Sequence, residues 1–300
     1  MKTKSTTFDD VFRTIAQKMP FMMVALINEA FGESYPDNVK IQQLRNEFIT
    51  KDKKIITDSL FLIKDKYYHI ECQSNPDSTM EIRMIEYDFM IAHEHAEKKE
   101  GRYEINFPES AVLYLRHNKS TPDKLKVVVN MPDGRSFDYE TKIIKAKDYT
   151  QEEIFRKKLL VLVPFYLMRY EDQFSEMEQN EKEKLAFFES CEKLRKQLEN
   201  EVGNRDIQYA DMIDLITKVS DHILEDHKKI RKGVKDIMGG KILELRSEKL
   251  LKKGRTEGRA EGRAEDHKAS IEKLANHYLE TGAATNKDDA VKMAETILGK

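Results

Sequence analysis

The sequence contains no tryptophan, and only two of its 300 residues are cysteine. The two thiols, Cys72 and Cys191, lie in stretches of different character, which argues against both a disulfide framework and a cysteine-based zinc site. With no tryptophan and no aromatic-rich run, there is no evident stacking platform for single-stranded nucleic acid. Long apolar runs are also missing: the longest, Leu159 to Met168, is interrupted by Pro164 and falls well below the roughly 18 residues a membrane span requires. Met1 to Thr7 is polar, and Phe21 to Ile27 is a short apolar run without a cleavage-site pattern. No secretory signal is therefore expected, no membrane association, and a cytoplasmic location. Neither sign of charge dominates. With 52 basic and 54 acidic residues the formal net charge is -2, so any attraction to nucleic acid must come from a local patch.

Enough Leu, Ile, Phe and Tyr remain to close a core, and a chain of this length suggests two or three units. Residues 8 to 33 read as helix, with apolar positions at Phe8, Val11, Phe12 and Ile15 and then Phe21 to Ile27, and with Pro20 as a break. Val39 to Ile49 suits a first strand. Ser78 to Lys99 reads as a helix whose stripe is Met80, Met84, Tyr87 and Ile91. Ala111 to Arg116, Leu125 to Val129 and Ser136 to Ile144 read as strands, the last two joined across a turn at Asp133-Gly134. Leu159 to Tyr166 fits a buried strand or a buried helix equally, because periodicity cannot separate short all-apolar runs.

From Glu171 the composition turns helical, with Leu185, Phe188, Leu194 and Leu198, then Met212, Leu215, Ile216 and Val219, spaced by threes and fours. Lys228 to Arg263 is rich in Lys and Arg with few carboxylates, which suits either contact with phosphates or a solvated helical face. A repeat over 253–265 places glycines every four residues, with Arg255, Arg259 and Arg263 in one row and Glu257, Glu261 and Glu265 in another. Like charges along each row, and about 1 kcal/mol lost at each glycine, make this segment a poor isolated helix. It suits a flexible linker, or pairing with a second copy in a homo-oligomer formed through the C-terminal helices. Residues 266–300 look like a short helical tail.

The stretch Ile56 to Ser74 reads as a hairpin. If Asp65-Lys66 forms the turn, Asp58 lies opposite Gln73 and Leu60 opposite Glu71. Alternation then puts Asp58, His69, Glu71 and Gln73 on one face, and Phe61, Ile63, Ile70 and Cys72 on the other. Asp58 and Glu71 become diagonal neighbours, roughly 7 to 8 Å apart at the backbone. Two carboxylates that close repel unless a proton, a cationic side chain or a metal lies between them. Magnesium suits such a pair, because it takes one or two protein carboxylates and leaves positions for water and phosphate oxygens. The alternative is an ordinary polar strand edge. His93 and His95 lie roughly 200° apart around a helix and cannot chelate as a His-Glu-x-x-His pair does.

Asp58, then Glu71-Cys72-Gln73-Ser74, then Met80, Arg83 and Glu86-Tyr87, together resemble the PD-(D/E)XK-type nucleases of the recombination-promoting nuclease and putative transposase family. Asp10-Val11-Phe12-Arg13, Val163-Pro164-Phe165, Arg169-Tyr170 and the Gly-x-x-Glu-Gly repeat extend the resemblance over most of residues 8 to 265. It implies an α/β core, a mixed sheet flanked by helices, expected over residues 1–170; the change of composition makes 171–252 a helical region, followed by the repeat as a linker and the tail. It also implies a magnesium-dependent DNA endonuclease, with manganese able to substitute, linked to recombination or mobile elements. Asp58 and Glu71 would be the metal ligands. Gln73 would fill the position where the wider superfamily usually has a catalytic lysine; a neutral amide can orient water or phosphate but brings no positive charge.

Three further residues are candidates for accessory roles: Glu29 as an additional acid, Lys64 as a charge curling back from the turn, and Arg83 as a partner of phosphate or of the carboxylates. Each also has a plain alternative: an exposed helix carboxylate, a solvated lysine, and packing on Tyr87. A catalytically inactive scaffold that binds DNA or protein is the competing function, and carboxylate–metal chemistry does not by itself choose DNA over RNA.

Overall fold

Phe8, Val11, Phe12, Ile15 and Ala16 fall three and four apart, so a helix containing them buries one continuous stripe, and α1 (Thr7–Lys18) does so. Pro20 has no N–H to continue that helix. It opens a single 3-10 turn, Pro20–Met22, leading into α2 (Met23–Phe31). Gly32 ends α2 with φ of 69°, a left-handed conformation that lets its N–H reach the Asn28 carbonyl at 2.9 Å.

The segment expected as one strand, Val39 to Ile49, forms two: β1 (Ile41–Gln43) and β2 (Glu47–Ile49). Each has its own partner. β2 pairs with β3 (Lys54–Ile56) in a small ribbon, whereas β1 pairs with β4 (Leu60–Ile63). β5 (Lys66–Gln73) follows, and then α3 (Met80–Glu94). The helix expected to run to Lys99 stops at Glu94, because β6 (Glu97–Lys99) pairs back on β7 (Arg102–Glu104) around Glu100 and Gly101, both at positive φ. β8 (Glu109–Tyr114), β9 (Lys124–Asn130) and β10 (Ser136–Lys145) complete the strands.

The main sheet has six strands in the order β1-β4-β5-β8-β10-β9. β5, β8 and β10 run parallel at its centre, and the outer pairings are antiparallel. This is a mixed α/β architecture. Parallel neighbours require a crossover, and α3 with the β6–β7 ribbon connects β5 to β8. β5 is buried from Tyr68 to Cys72, as a central strand covered on both faces must be. On one face, Met80 and Met84 of α3 pack with Val112, Tyr114, Leu125 and Tyr139, while Ile91 packs with Phe48 and Leu60. On the other, Phe31 of α2 lies 5.3 Å from the Tyr68 ring.

The computed structural model describes residues 7–49, 54–202, 206–239 and 268–298. The 253–265 repeat and much of the basic stretch therefore lie outside the described residues. Beyond β10, α4 (Gln151–Arg156) begins with a capping box in which Thr150 and Glu153 satisfy each other's backbone N–H. The ambiguous apolar run adopts a 3-10 helix, Leu160–Gln173, buried from Leu160 to Met168. α5 (Phe174–Met177), α6 (Glu181–Val202), α7 (Asp206–Ile223) and a helix over 228–239 follow. α7 packs on α1 and on the 3-10 helix.

Residues 1–240 form one compact unit, so these helices extend the unit that holds the sheet. Arg116 ties the two parts together. Its guanidinium bonds both oxygens of Glu171 in the 3-10 helix, at 2.7 and 2.6 Å, and donates to the Ser74 carbonyl at the exit of β5 at 3.4 Å. The described residues 268–298 belong to a second unit, in which Ala275, Ala284, Ala290 and Ala294 close a small core.

Candidate functional site

The hairpin turns at Lys64-Asp65, with Ile63 facing Lys66 and Leu60 facing His69. The turn expected at Asp65-Lys66 is thus displaced, and the register slips by two. Side-chain parity survives such a slip, which is why the hydrophobic pattern could not distinguish the two registers. The slip brings Asp58, just before β4, opposite Glu71 instead of Gln73. The backbone N–H of Asp58 donates to Glu71 Oε1 at 2.7 Å, and Asp58 Oδ2 accepts from the Cys72 N–H at 2.9 Å. Ser59 Oγ closes on the Ile70 carbonyl at 2.7 Å and holds this end of the hairpin shut.

Both carboxylates are buried, at 3% exposure for Asp58 and 2% for Glu71. A cation from one flanking helix bonds Asp58, and a cation from the other approaches Glu71. From α1, Arg13 donates to Asp58 Oδ1 through Nε and through a terminal nitrogen, each at 2.7 Å. On the α3 side, a terminal nitrogen of Arg83 approaches Glu71 Oε2 at 4.0 Å, while the same guanidinium bonds Asp77 at 2.9 Å and Tyr87 Oη at 3.2 Å. Burial, followed by the adjacent Glu71 charge, raises the pKa of the Asp58 carboxyl, against the opposing pull of Arg13 and the Cys72 N–H.

A third layer lies behind Glu71. His69, two residues back on the same strand face, contacts Glu71 Oε1 through Nε2 at 2.9 Å and Asp88 Oδ1 through Nδ1 at 2.6 Å. Asp88 Oδ2 accepts from Tyr139 Oη at 2.6 Å, and Thr141 Oγ1 donates to that same Tyr139 oxygen at 2.9 Å. Burial alone would lower the His69 pKa, but the contacts with Asp88 and Glu71 outweigh it and raise it to about 10. An imidazolium, with N–H on both ring nitrogens, serves both carboxylates at once.

Comparison of the chain with protein-family models, with curated proteins and with solved structures finds no match.

Of the residues singled out by sequence, Asp58, Glu71 and Arg83 come together. Gln73 ends β5 on the Glu71 face, half-buried, with its carbonyl accepting from the Leu115 N–H at 2.9 Å. Glu29 and Lys64 are engaged elsewhere. Glu29 accepts from Lys157 Nζ at 2.6 Å and from Tyr149 Oη at 3.2 Å, in a surface cleft also lined by Asn28, Asp37 and Lys158. Lys64 occupies the turn with φ of 57°, its ammonium 5.5 Å from the Tyr35 ring, at the opposite end of β5 from Gln73.

Sequence reasoning missed Asp88, Tyr139 and Thr141, and gave Arg13 no role beyond membership of a motif. Asp88 did leave a signal: it falls on the Met80, Met84, Ile91 stripe of α3, where an acid is out of pattern and needs a buried partner.

As a place for a divalent cation, the pair offers two hard oxygen donors. Among the described residues Glu71 Oε2 accepts no hydrogen bond, and the Arg83 guanidinium stands 4.0 Å away. No group of three or more His, Cys, Asp or Glu among the described residues is arranged to hold an ion, so the remaining positions would fall to water or phosphate. That donor set fits magnesium, which keeps much of its hydration shell.

Proposed function

We propose that the chain is a magnesium-dependent endonuclease that hydrolyses phosphodiester bonds in DNA, built on a PD-(D/E)XK-like core and linked to recombination or mobile elements. The observation that carries this reading is the meeting of Asp58 and Glu71 at the end of one hairpin away from its turn, where Glu71 Oε2, among the described residues, accepts no hydrogen bond and has Arg83 at 4.0 Å. A mixed sheet flanked by helices, the arrangement the resemblance implies, supports it further.

Asp58 and Glu71 would hold the ion, with manganese able to replace magnesium. When bound, it supplies charge against the developing phosphate negative charge and lowers the pKa of a bound water. The chain's own groups do the rest. Arg13 fixes the Asp58 carboxylate in one orientation. Gln73, on the same face as Glu71, orients water or a phosphate oxygen through its neutral amide. Arg83 is kept charged: burial would lower its pKa, but Tyr87, Glu71 and Asp77 hold it above the ordinary guanidinium value, so it can meet a phosphate beside Glu71.

One observation favours a second reading, a catalytically inactive scaffold that binds DNA or protein. Arg13 and His69 already neutralise the two carboxylates in place, as a purely structural ion-pair network would. Conversion of supercoiled plasmid to nicked circles, with magnesium or manganese, separates the two. Nicking that is lost in Asp58→Asn and Glu71→Gln, in proteins that keep wild-type circular dichroism, supports the nuclease. DNA binding without cleavage by the unmodified protein supports the scaffold. The same assay on duplex DNA, single-stranded DNA and RNA tests the choice of DNA.

A further inference from the structure

The alternation of β5 puts His69 and Glu71 on one face, where their side chains are neighbours. A glutamate there has three rotatable bonds, and nothing in the strand itself selects which carboxylate oxygen turns toward the hairpin mouth. The selection comes from two donors that converge on Oε1, the Asp58 N–H at 2.7 Å and His69 Nε2 at 2.9 Å. The imidazole is in turn fixed from behind. Asp88 grips Nδ1 at 2.6 Å, and Tyr139, itself bonded by Thr141, grips Asp88. Without Asp88, a half-turn of the ring about its Cβ–Cγ bond would carry Nε2 away from Glu71.

Packing alone does not call for this arrangement. An acid on the apolar stripe of α3 must be desolvated, and apolar residues of similar volume usually replace a buried ionic group at little or no cost in stability. What an apolar residue could not do is hold the ring. We propose that His69, held by Asp88 and Tyr139, is a positioning residue that keeps Glu71 Oε1 occupied and presents Oε2 to the divalent ion. The proposal deepens the metal-site reading above and rests on it.

The test is manganese binding to the full chain, measured by calorimetry and by the electron paramagnetic resonance of free ion, without DNA. Residues that orient a metal ligand from outside the first layer are typically worth roughly 10- to 100-fold in metal affinity. Asp88→Asn and His69→Gln should each weaken manganese binding by about tenfold or more, Tyr139→Phe by less, and Glu71→Gln should abolish it. Wild-type affinity in folded Asp88→Asn and His69→Gln, with binding lost in Glu71→Gln, would overturn the positioning role and leave the carboxylate site standing. Manganese affinity unchanged in Glu71→Gln, or no binding by the unmodified protein, would remove the site and this role together.

Should the His69 and Asp88 variants fail to fold, the unmodified protein still decides. Saturating magnesium should shift the His69 ring nitrogen and proton resonances, and resonances that do not move overturn the proposal.

Discussion

Removing the carboxylate of Asp88 should be among the most damaging single substitutions in the molecule, whatever the chain does. Asp88 is fully buried and accepts two hydrogen bonds of 2.6 Å, from His69 Nδ1 and Tyr139 Oη. In Asp88→Ala both donors stay buried and lose their acceptor. Adding the bonds singly would count the same interactions twice, so the cost is better taken as that of breaking a buried ionic network, about 4 kcal/mol within a usual range of roughly 3 to 5.

Tyr139→Phe deletes only one of the two bonds to that carboxylate and should cost about 2 kcal/mol, the usual range for a charge-assisted bond being roughly 1.5 to 3. With a urea dependence near 3 kcal/mol per molar, the unfolding midpoint should fall by about 1.3 M for Asp88→Ala and about 0.7 M for Tyr139→Phe. Because the two residues share a bond, the double variant should cost about 4 kcal/mol, short of the sum of about 6. The chain has no tryptophan, so far-UV circular dichroism is the suitable probe. A loss under about 1 kcal/mol for Asp88→Ala, or strict additivity in the cycle, would refute the argument that His69, Asp88 and Tyr139 form one coupled buried network.

Lys64→Ala should leave any DNA cleavage unchanged in rate, because at about 3.3 Å per residue the turn lies roughly 20 Å along β5 from Glu71; a tenfold loss would show that the turn reaches the site. Glu29→Gln should likewise leave cleavage intact and cost at most about 1 kcal/mol, since its pair with Lys157 is partly exposed. Thermal unfolding alongside the plasmid assay checks both effects. Cys72 and Cys191 are buried, and burial raises both thiols, Cys72 well above the ordinary value and Cys191 to about 12. Alkylation at pH 8 should therefore modify neither in the folded protein and both in urea, as read by intact mass; rapid native labelling of Cys72 would contradict a closed hairpin.

Much of the layout was legible because it rests on periodicity. The α1 stripe, the hairpin's two faces and the Asp133-Gly134 turn each follow from spacing or turn chemistry, and Gly134 does take φ of 86°. The hairpin register was not legible, because a two-residue slip keeps every side chain on its own face; what selects it is a tertiary set of bonds from Asp58 and Ser59 to β5. The short strands β1 and β2 were read as one, because their separation depends on two different partners. In the candidate site, the acids and Arg83 could be found from local sequence. The residues that orient them could not, since Arg13 lies 45 positions from Asp58 and Tyr139 lies 51 positions from Asp88.

That separation has a consequence for how the protein is made. Both acids leave the ribosome early, within one hairpin, and so do Arg13 and His69, but Asp88 arrives with α3 and Tyr139 with β10, the last strand among the described residues. Until β10 docks between β8 and β9, Asp88 lacks its tyrosine and the Glu71 carboxylate lacks the final part of its support. A chain interrupted before residue 139 therefore carries the complete acidic pair, His69 and Asp88 but not the tyrosine that completes their support, and the finished geometry is delivered only together with a finished sheet.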